Sequence, residues 1–81
     1  MDERRLMNGK TYRHFKGKEY QVLGTAMHTE HHELVVVYKS NENGKIWARP
    51  YREFMSEVDR EKYPDAQQKY RFELVKDGDG K

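Results

Sequence analysis

The sequence predicts a small, mainly β domain, and three observations lead to that prediction. The 81 residues are 35% hydrophobic and 37% charged, so one small core of aromatic and β-branched side chains has to hold the fold together. Short runs of those residue types recur along the chain. An Asn-Gly pair, Asn43-Gly44, lies between two of these runs and is a strong signal for a β-hairpin.

Other classes of protein are disfavoured by what the composition lacks. The chain has no cysteine, which excludes disulfides and thiolate metal sites. It has no apolar run of about 18 residues, the length of a membrane-spanning helix. Its first residues lack the apolar stretch of a signal peptide. We therefore expect a cytoplasmic protein that makes no membrane contact.

The first two predicted strands form a hairpin. Residues 11–15 open it, and Lys16-Gly17-Lys18 makes the turn because glycine tolerates a positive φ. Residues 19–25 return with alternating side chains, so that Tyr20 and Val22 face one side of the sheet.

The third and fourth strands are predicted on either side of the Asn-Gly pair. Residues 34–38, Leu-Val-Val-Val-Tyr, are apolar on both faces and predict a central strand that is covered on both sides. Residues 45–49 form the returning strand. Asn43-Gly44 between them predicts a type I′ turn, in which both central residues have positive φ.

A helical turn is predicted after the fourth strand. Pro50 has a fixed φ and no N–H group, so it ends the strand and suits the start of a helical turn over residues 51–56. Phe54 and Val58 lie four residues apart, and they are placed to close the open end of a barrel.

The remaining segments complete the architecture. Residues 59–69 are polar and predict an exposed loop, and residues 70–75 predict a last strand. Five antiparallel strands and one helical turn indicate a small SH3-like barrel. The domain is predicted over residues 11–76, preceded by a basic flexible arm, residues 1–10, and followed by a disordered tail, residues 77–81.

Several short motifs follow one another along the chain: Tyr12-Arg13-His14-Phe15-Lys16-Gly17-Lys18-x-Tyr20-x-Val22, Ala26-x-His28-x-Glu30, Leu34-Val35-Val36-Val37-Tyr38, Trp47-x-Arg49-Pro50, Phe54 and Arg71-Phe72-Glu73. In this order they resemble a small bacterial family that is catalogued only as a domain of unknown function, number sixteen fifty-three. The resemblance covers residues 11–75 and implies the fold, but no activity and no catalytic residues. Residues 59–69 depart from the family pattern, which more often has a short Asp-Gly hairpin there.

The main candidate for function is the strand face that carries Trp47 and Arg49. Residues two apart on a strand point to the same side, which sets a flat indole beside a guanidinium fork. Such a pair can stack on a base or a peptide side chain and bind a phosphate or carboxylate. Tyr38 is expected to extend this surface. The alternative is that Trp47 belongs to the core and that Arg49 is buried with a carboxylate partner such as Glu53.

The densest polar cluster is the run from His28 to Glu33. Its imidazoles and carboxylates are possible zinc or nickel ligands, but their spacing matches no known metal motif, and a solvated loop is favoured. In an extended segment His28 and Glu30 share one face and are expected to border the Trp47 surface. His14 on the first strand is a further candidate ligand-binding residue.

The basic N-terminal segment gives a second possible contact. Residues 1–18 carry six basic and two acidic side chains. Its exposed cations are expected to give at most a weak contact with nucleic acid, and the alternative is an arm that only keeps the domain soluble. The residues concerned are Arg4, Arg5 and Lys10.

Three functional hypotheses remain, in order of preference. The first is a non-catalytic module that binds a peptide, a nucleotide or single-stranded nucleic acid, with no cofactor. The second is a homo-oligomeric or accessory subunit, and the expected state of the protein is a monomer or a homodimer. The third is a small metal-dependent or acid–base enzyme. Enzyme chemistry is the least favoured because Ser40 and Ser56 have no glycine elbow or neighbouring base, and the glycines form no phosphate loop.

Overall fold

A computed structural model describes residues 5–75, and it contains five strands and one short helix. The strands pair antiparallel in one sheet with the order β4-β3-β2-β1-β5. This confirms the predicted mainly β class, the five antiparallel strands and the single helical turn. The predicted tail, residues 77–81, lies outside the described residues. The elements are β1 (Thr11–His14), β2 (Glu19–Met27), β3 (Leu34–Ser40), β4 (Ile46–Pro50), α1 (Tyr51–Phe54) and β5 (Phe72–Leu74).

The sheet is open, with β4 and β5 at its two edges. A β-bulge in β2, between Val22 and Gly24, shifts the register against β3, and bulges of this kind bend a sheet. Side chains from the two edges nevertheless meet, since the Arg49 guanidinium on β4 lies 5.8 Å from the ring centre of Phe72 on β5. In the described part of the chain no ladder joins β4 to β5. The two edges of the predicted barrel are bridged there only by side chains.

The core lies on the concave face of the sheet, under α1. The rings of Phe54 and Phe72 stack at 4.1 Å with an interplanar angle of 9°, and both side chains are fully buried. Val58 is also buried, although it lies beyond the end of α1. The buried cluster consists of Tyr12, Val22, Val36, Tyr38, Phe54 and Phe72.

The third strand differs from its prediction. Val36, Tyr38 and Ser40 are buried, whereas Val35 and Val37 between them are only half-buried. The strand therefore packs one face on the core, and the expectation that it is covered on both sides is wrong. A run of β-branched residues suits either placement, because it fits a half-buried pleated surface as well as a buried one.

The β3–β4 turn also differs from its prediction. Gly44 has φ 76°, but Asn43 is not among the residues with positive φ, so the turn is not type I′. The Ser40 carbonyl accepts a hydrogen bond from the Gly44 N–H at 2.9 Å, and the Ser40 N–H donates to the Lys45 carbonyl at 2.8 Å. The Ser40 hydroxyl accepts from the amides of Glu42 and Asn43. This buried hydroxyl organises a longer loop in which the glycine has the left-handed conformation.

The five strands and the helical turn each have an end one or two residues away from the predicted one, and the changes in β4 and β5 are the most informative. Pro50 is the last residue of β4 rather than the residue after it, which is tolerated because β4 is an edge strand and needs no N–H there. β5 is only three residues long, and Tyr70 forms an isolated bridge with Glu57 instead of joining the strand.

The described part of the predicted N-terminal arm runs alongside β2. The Gly9 N–H donates to the Val22 carbonyl at 2.7 Å, and the Val22 N–H donates to the Lys10 carbonyl at 3.0 Å. Leu6 packs against the core cluster. These contacts hold residues 6–10 against the sheet. In the described range, 5–75, no helix is long and apolar enough to cross a membrane.

We expect Gly44→Val to destabilise the protein by about 1–2 kcal/mol, because a β-branched residue is strained at the positive φ of this position. Gly24→Ala is the matched control, since its backbone is not left-handed and an added Cβ meets no atom within 4 Å. Urea denaturation measures both. Equal midpoints for wild type and Gly44→Val would contradict the strain at this turn.

Candidate functional site

The structure places Trp47 and Arg49 on the concave face of the sheet. Trp47 pairs with Tyr38 and Arg49 pairs with Val36, and both of these partners on β3 are buried. Because β4 is an edge strand, Trp47 remains 49% exposed. The alternative in which Trp47 is a core residue is therefore wrong, and its indole lies at the rim of the concave face.

Arg49 is held by aromatic neighbours more than by a carboxylate. Its Nε donates to the Tyr38 hydroxyl at 3.2 Å, and its guanidinium lies over Phe72. The Glu53 carboxylate is 3.9 Å from Nη1, which is longer than a hydrogen bond, and the Arg49 side chain is 32% exposed. The predicted partner Glu53 is present, but the pair is loose and partly solvated.

These side chains border a concave cavity of about 170 Å³, which we call the aromatic slot. It brings together four of the six residues that the sequence predicts as ligand-binding. Two aromatic residues that the sequence analysis did not propose complete it. The lining residues are His14, Tyr20, Tyr38, Trp47, Arg49 and Phe72.

A second cavity, of about 270 Å³, adjoins the aromatic slot and shares His14 and Arg49 with it. We call it the basic pocket. Sequence reasoning missed it, because its walls come from the β1–β2 turn, β4, the loop over residues 59–69 and the residue before β5. The signal in the sequence that could have indicated this pocket is Tyr63, an aromatic residue in an otherwise polar loop. The additional lining residues are Phe15, Lys16, Asp59, Lys62, Tyr63 and Arg71.

His14 lies between the two cavities in a defined hydrogen-bonding state. Its Nδ1 accepts the backbone N–H of Lys16 at 3.1 Å, so a neutral imidazole carries its proton on Nε2. Burial, together with the positive charges of Arg49, Arg71 and Lys16, lowers the pKa of His14 from 6.5 to about 4. At neutral pH His14 is therefore an uncharged ring that can both accept and donate.

The structure does not bring His28 and Glu30 to this site. They lie in the β2–β3 loop, after the end of β2 that is remote from Tyr20. His28 Nδ1 accepts the amides of Glu30 and His31, both at 3.2 Å, so its imidazole stabilises the loop. In residues 5–75 no group of three or more histidine, aspartate and glutamate side chains is arranged to hold a metal ion.

Arg5 and Lys10 line neither of the two cavities. Arg5 lines a different cavity with Tyr12, Glu73 and Leu74, and Lys10 is exposed. Arg4 is outside the described residues. A weak contact of these residues with nucleic acid stays a prediction.

Most of the chain matches one known protein family. The family model described as "Protein of unknown function (DUF1653)" matches residues 10–74, which is most of the chain. The chain belongs to this family. No curated protein and no solved structure matches it. The resemblance seen in the sequence is thus confirmed, and DUF1653 membership assigns no activity to the slot or to the basic pocket.

The lowered pKa of His14 predicts acid sensitivity. The unfolded imidazole binds a proton below pH 6.5, whereas the folded one stays neutral down to about pH 4, so stability falls as the pH drops through this window. We expect a loss of about 1–2 kcal/mol between pH 7 and pH 5, allowing for partial solvent screening. Urea denaturation at the two pH values measures it.

His14→Gln should remove this part of the pH dependence, whatever its stability at pH 7. His31→Gln, in the exposed β2–β3 loop, is the control and should retain it. A wild-type protein that is equally stable at both pH values would contradict the assignment of a neutral His14.

Proposed function

We propose that this domain is a non-catalytic binding module that holds a nucleotide unit, with the base in the aromatic slot. The observation that carries the proposal is that Trp47 and Arg49 share one concave face, beside Tyr38. An exposed indole at the rim of a cavity offers a stacking surface, and the adjacent guanidinium offers hydrogen-bond donors. A nucleotide combines the two matching features, a planar ring and an anionic group.

The chemistry of the slot favours a nucleotide over a peptide. Base stacking on an aromatic side chain contributes about 1–3 kcal/mol per base and tolerates any base, because every base has a π face. The two cavities adjoin at His14 and Arg49, so a ring in the slot has a strongly cationic neighbour. An extended peptide has no such fixed pairing of a flat ring with a multiply charged anion.

The lining of the slot also favours binding over catalysis. Among the described residues its lining includes no carboxylate, so no carboxylate is placed to act as a general base on a ligand held there. The Tyr38 hydroxyl is already engaged by Arg49. These features support the module hypothesis ahead of the enzyme hypothesis.

One observation favours the accessory-subunit alternative. Edge strand β4 presents Ile46, which is 62% exposed, next to the exposed Trp47. Edge strands with exposed apolar side chains are sites where a second chain can add. Light scattering with size-exclusion chromatography separates the two ideas, because a dimer that Ile46→Glu dissociates would support the alternative.

The binding test is isothermal titration calorimetry with adenosine 5′-monophosphate and with a short single-stranded oligonucleotide. Trp47→Ala should weaken binding about tenfold or more through lost stacking. Ile46→Ala, a neighbouring exposed change on the same strand, is the control and should bind as the wild type does. No binding of either ligand to the wild type, or an equal loss in both variants, would reject the proposal.

Arg49→Ala separates a ligand-binding role from a structural one. It removes one hydrogen bond to Tyr38 and the contact with Phe72, so the free energy of unfolding should fall by about 1–2 kcal/mol. A tightly buried ion pair would instead cost about 3–5 kcal/mol. Ligand affinity measured well below the unfolding midpoint should drop at least tenfold. A loss of 3 kcal/mol or more with unchanged affinity would make Arg49 structural.

A further inference from the structure

The basic pocket concentrates positive charge around one cavity. Four of its lining residues are cationic, and the single acidic one is Asp59. Asp59 Oδ1 accepts the backbone amides of Glu61 and Lys62 at 3.1 and 3.4 Å, so this carboxylate also organises the turn at the start of the loop. The pocket therefore retains an excess of positive charge. Its cations are Lys16, Arg49, Lys62 and Arg71.

Neighbouring contacts fix several of these walls before any ligand binds. The Lys16 ammonium lies 5.2 Å from the ring centre of Tyr63, and the Tyr63 ring packs edge-on against Phe15 at 4.8 Å. Arg71 is anchored to Ser56 through its backbone N–H at 2.9 Å and its Nε at 3.4 Å. Prepositioned donors lose less side-chain entropy on binding an anion than free ones do.

His14 adds a donor to the same cavity. Because its Nδ1 is occupied by the Lys16 amide, the remaining N–H on Nε2 is the available donor of a neutral ring. Residues that carry guanidinium, ammonium and imidazole N–H groups thus line the cavity. A tetrahedral anion with three free oxygens can accept from more of these directions than a planar carboxylate can.

We propose that the basic pocket binds a terminal phosphate monoester, so that the ligand of this domain is a nucleotide with a 5′-phosphate. The inference rests on the proposed function. It names the anionic group of the ligand, which the slot alone does not specify. Arg49 and His14 border both cavities, so a nucleoside in the slot directs its phosphate past them into the pocket. A monoester carries close to two charges and three free oxygens, whereas an internal phosphodiester carries one charge and two.

Calorimetry with three ligands tests the inference at one fixed salt concentration. Adenosine 5′-monophosphate should bind at least tenfold more tightly than adenosine, and than a dinucleoside monophosphate whose only phosphate is an internal diester. If adenosine 5′-monophosphate binds no more tightly than adenosine, the inference is overturned while the proposed function stands. If none of the three ligands binds, both the inference and the proposed function are rejected.

Charge variants locate the phosphate. Lys62→Gln, in an exposed loop, should weaken binding of adenosine 5′-monophosphate about fivefold and leave adenosine unchanged. Lys45→Gln, an exposed lysine in the β3–β4 loop, is the matched control and should change neither. Asp59→Asn keeps an oxygen for the turn amides, removes the negative charge and should tighten binding several-fold. Equal effects of Lys62→Gln and Lys45→Gln would overturn the pocket assignment.

Oligonucleotides distinguish two sources of the phosphate, a free nucleotide and the 5′ end of a nucleic acid strand. A single strand with a 5′-phosphate that binds more tightly than adenosine 5′-monophosphate would identify the end of a nucleic acid strand as the ligand. Tighter binding of the mononucleotide would identify a free nucleotide. A strand with a 5′-hydroxyl that binds as well as the phosphorylated one would overturn the inference.

Discussion

The stack of Phe54 on Phe72 is the contact on which the rest of the structure depends. A chain with so little apolar content must obtain most of its burial from a few large rings. The two rings lie nearly parallel at 4.1 Å and join α1 to β5 across the intervening residues 55–71. β5 is only three residues long and pairs with β1 alone, so its strand hydrogen bonds are few. Burial of Phe72 is what holds this edge of the sheet in place.

One of these two rings, Phe72, also lines the aromatic slot of the candidate site. Phe72 contacts His14 and Tyr38 within the core and lies under the Arg49 guanidinium at the edge of the slot. Tyr38 likewise has a buried ring and a hydroxyl that accepts from Arg49. Tyr38 and Phe72 are therefore positioned by core packing rather than by loops, which would lower the entropy lost on binding of the proposed ligand.

The two cavities differ in charge because different residues line them. The slot is mostly aromatic, whereas the basic pocket gathers cations from four segments of the chain. Gathering like charges costs free energy in the unliganded protein. The cost is reduced by the nearby Asp59, by the aromatic faces beside Lys16 and Arg49, and by a His14 that stays neutral at physiological pH. A bound anion would relieve the remaining repulsion.

Local sequence patterns determined most of the fold. Alternating side chains, turn glycines and Pro50 act over a few residues, so they predicted five strands, the Gly17 turn and the helical turn. They also placed Trp47 and Arg49 on one face, because side chains two apart on a strand always share a side. They did not decide whether that face belongs to the core or to its rim. They also predicted the wrong turn type at Asn43-Gly44, where the Ser40 hydroxyl accepts hydrogen bonds from the loop amides of Glu42 and Asn43.

Only the tertiary structure decided which distant residues meet. It joined His14 on β1 to Arg49 on β4, added Lys62 and Tyr63 from a loop that the sequence indicated only as exposed and polar, and kept His28 and Glu30 at the other end of β2. The reason is that a strand's periodicity fixes which side a residue faces, whereas the meeting of two segments depends on the curvature of the whole sheet. Here that curvature follows from the bulge in β2 and from the packing of Phe54 on Phe72, neither of which any single segment specifies.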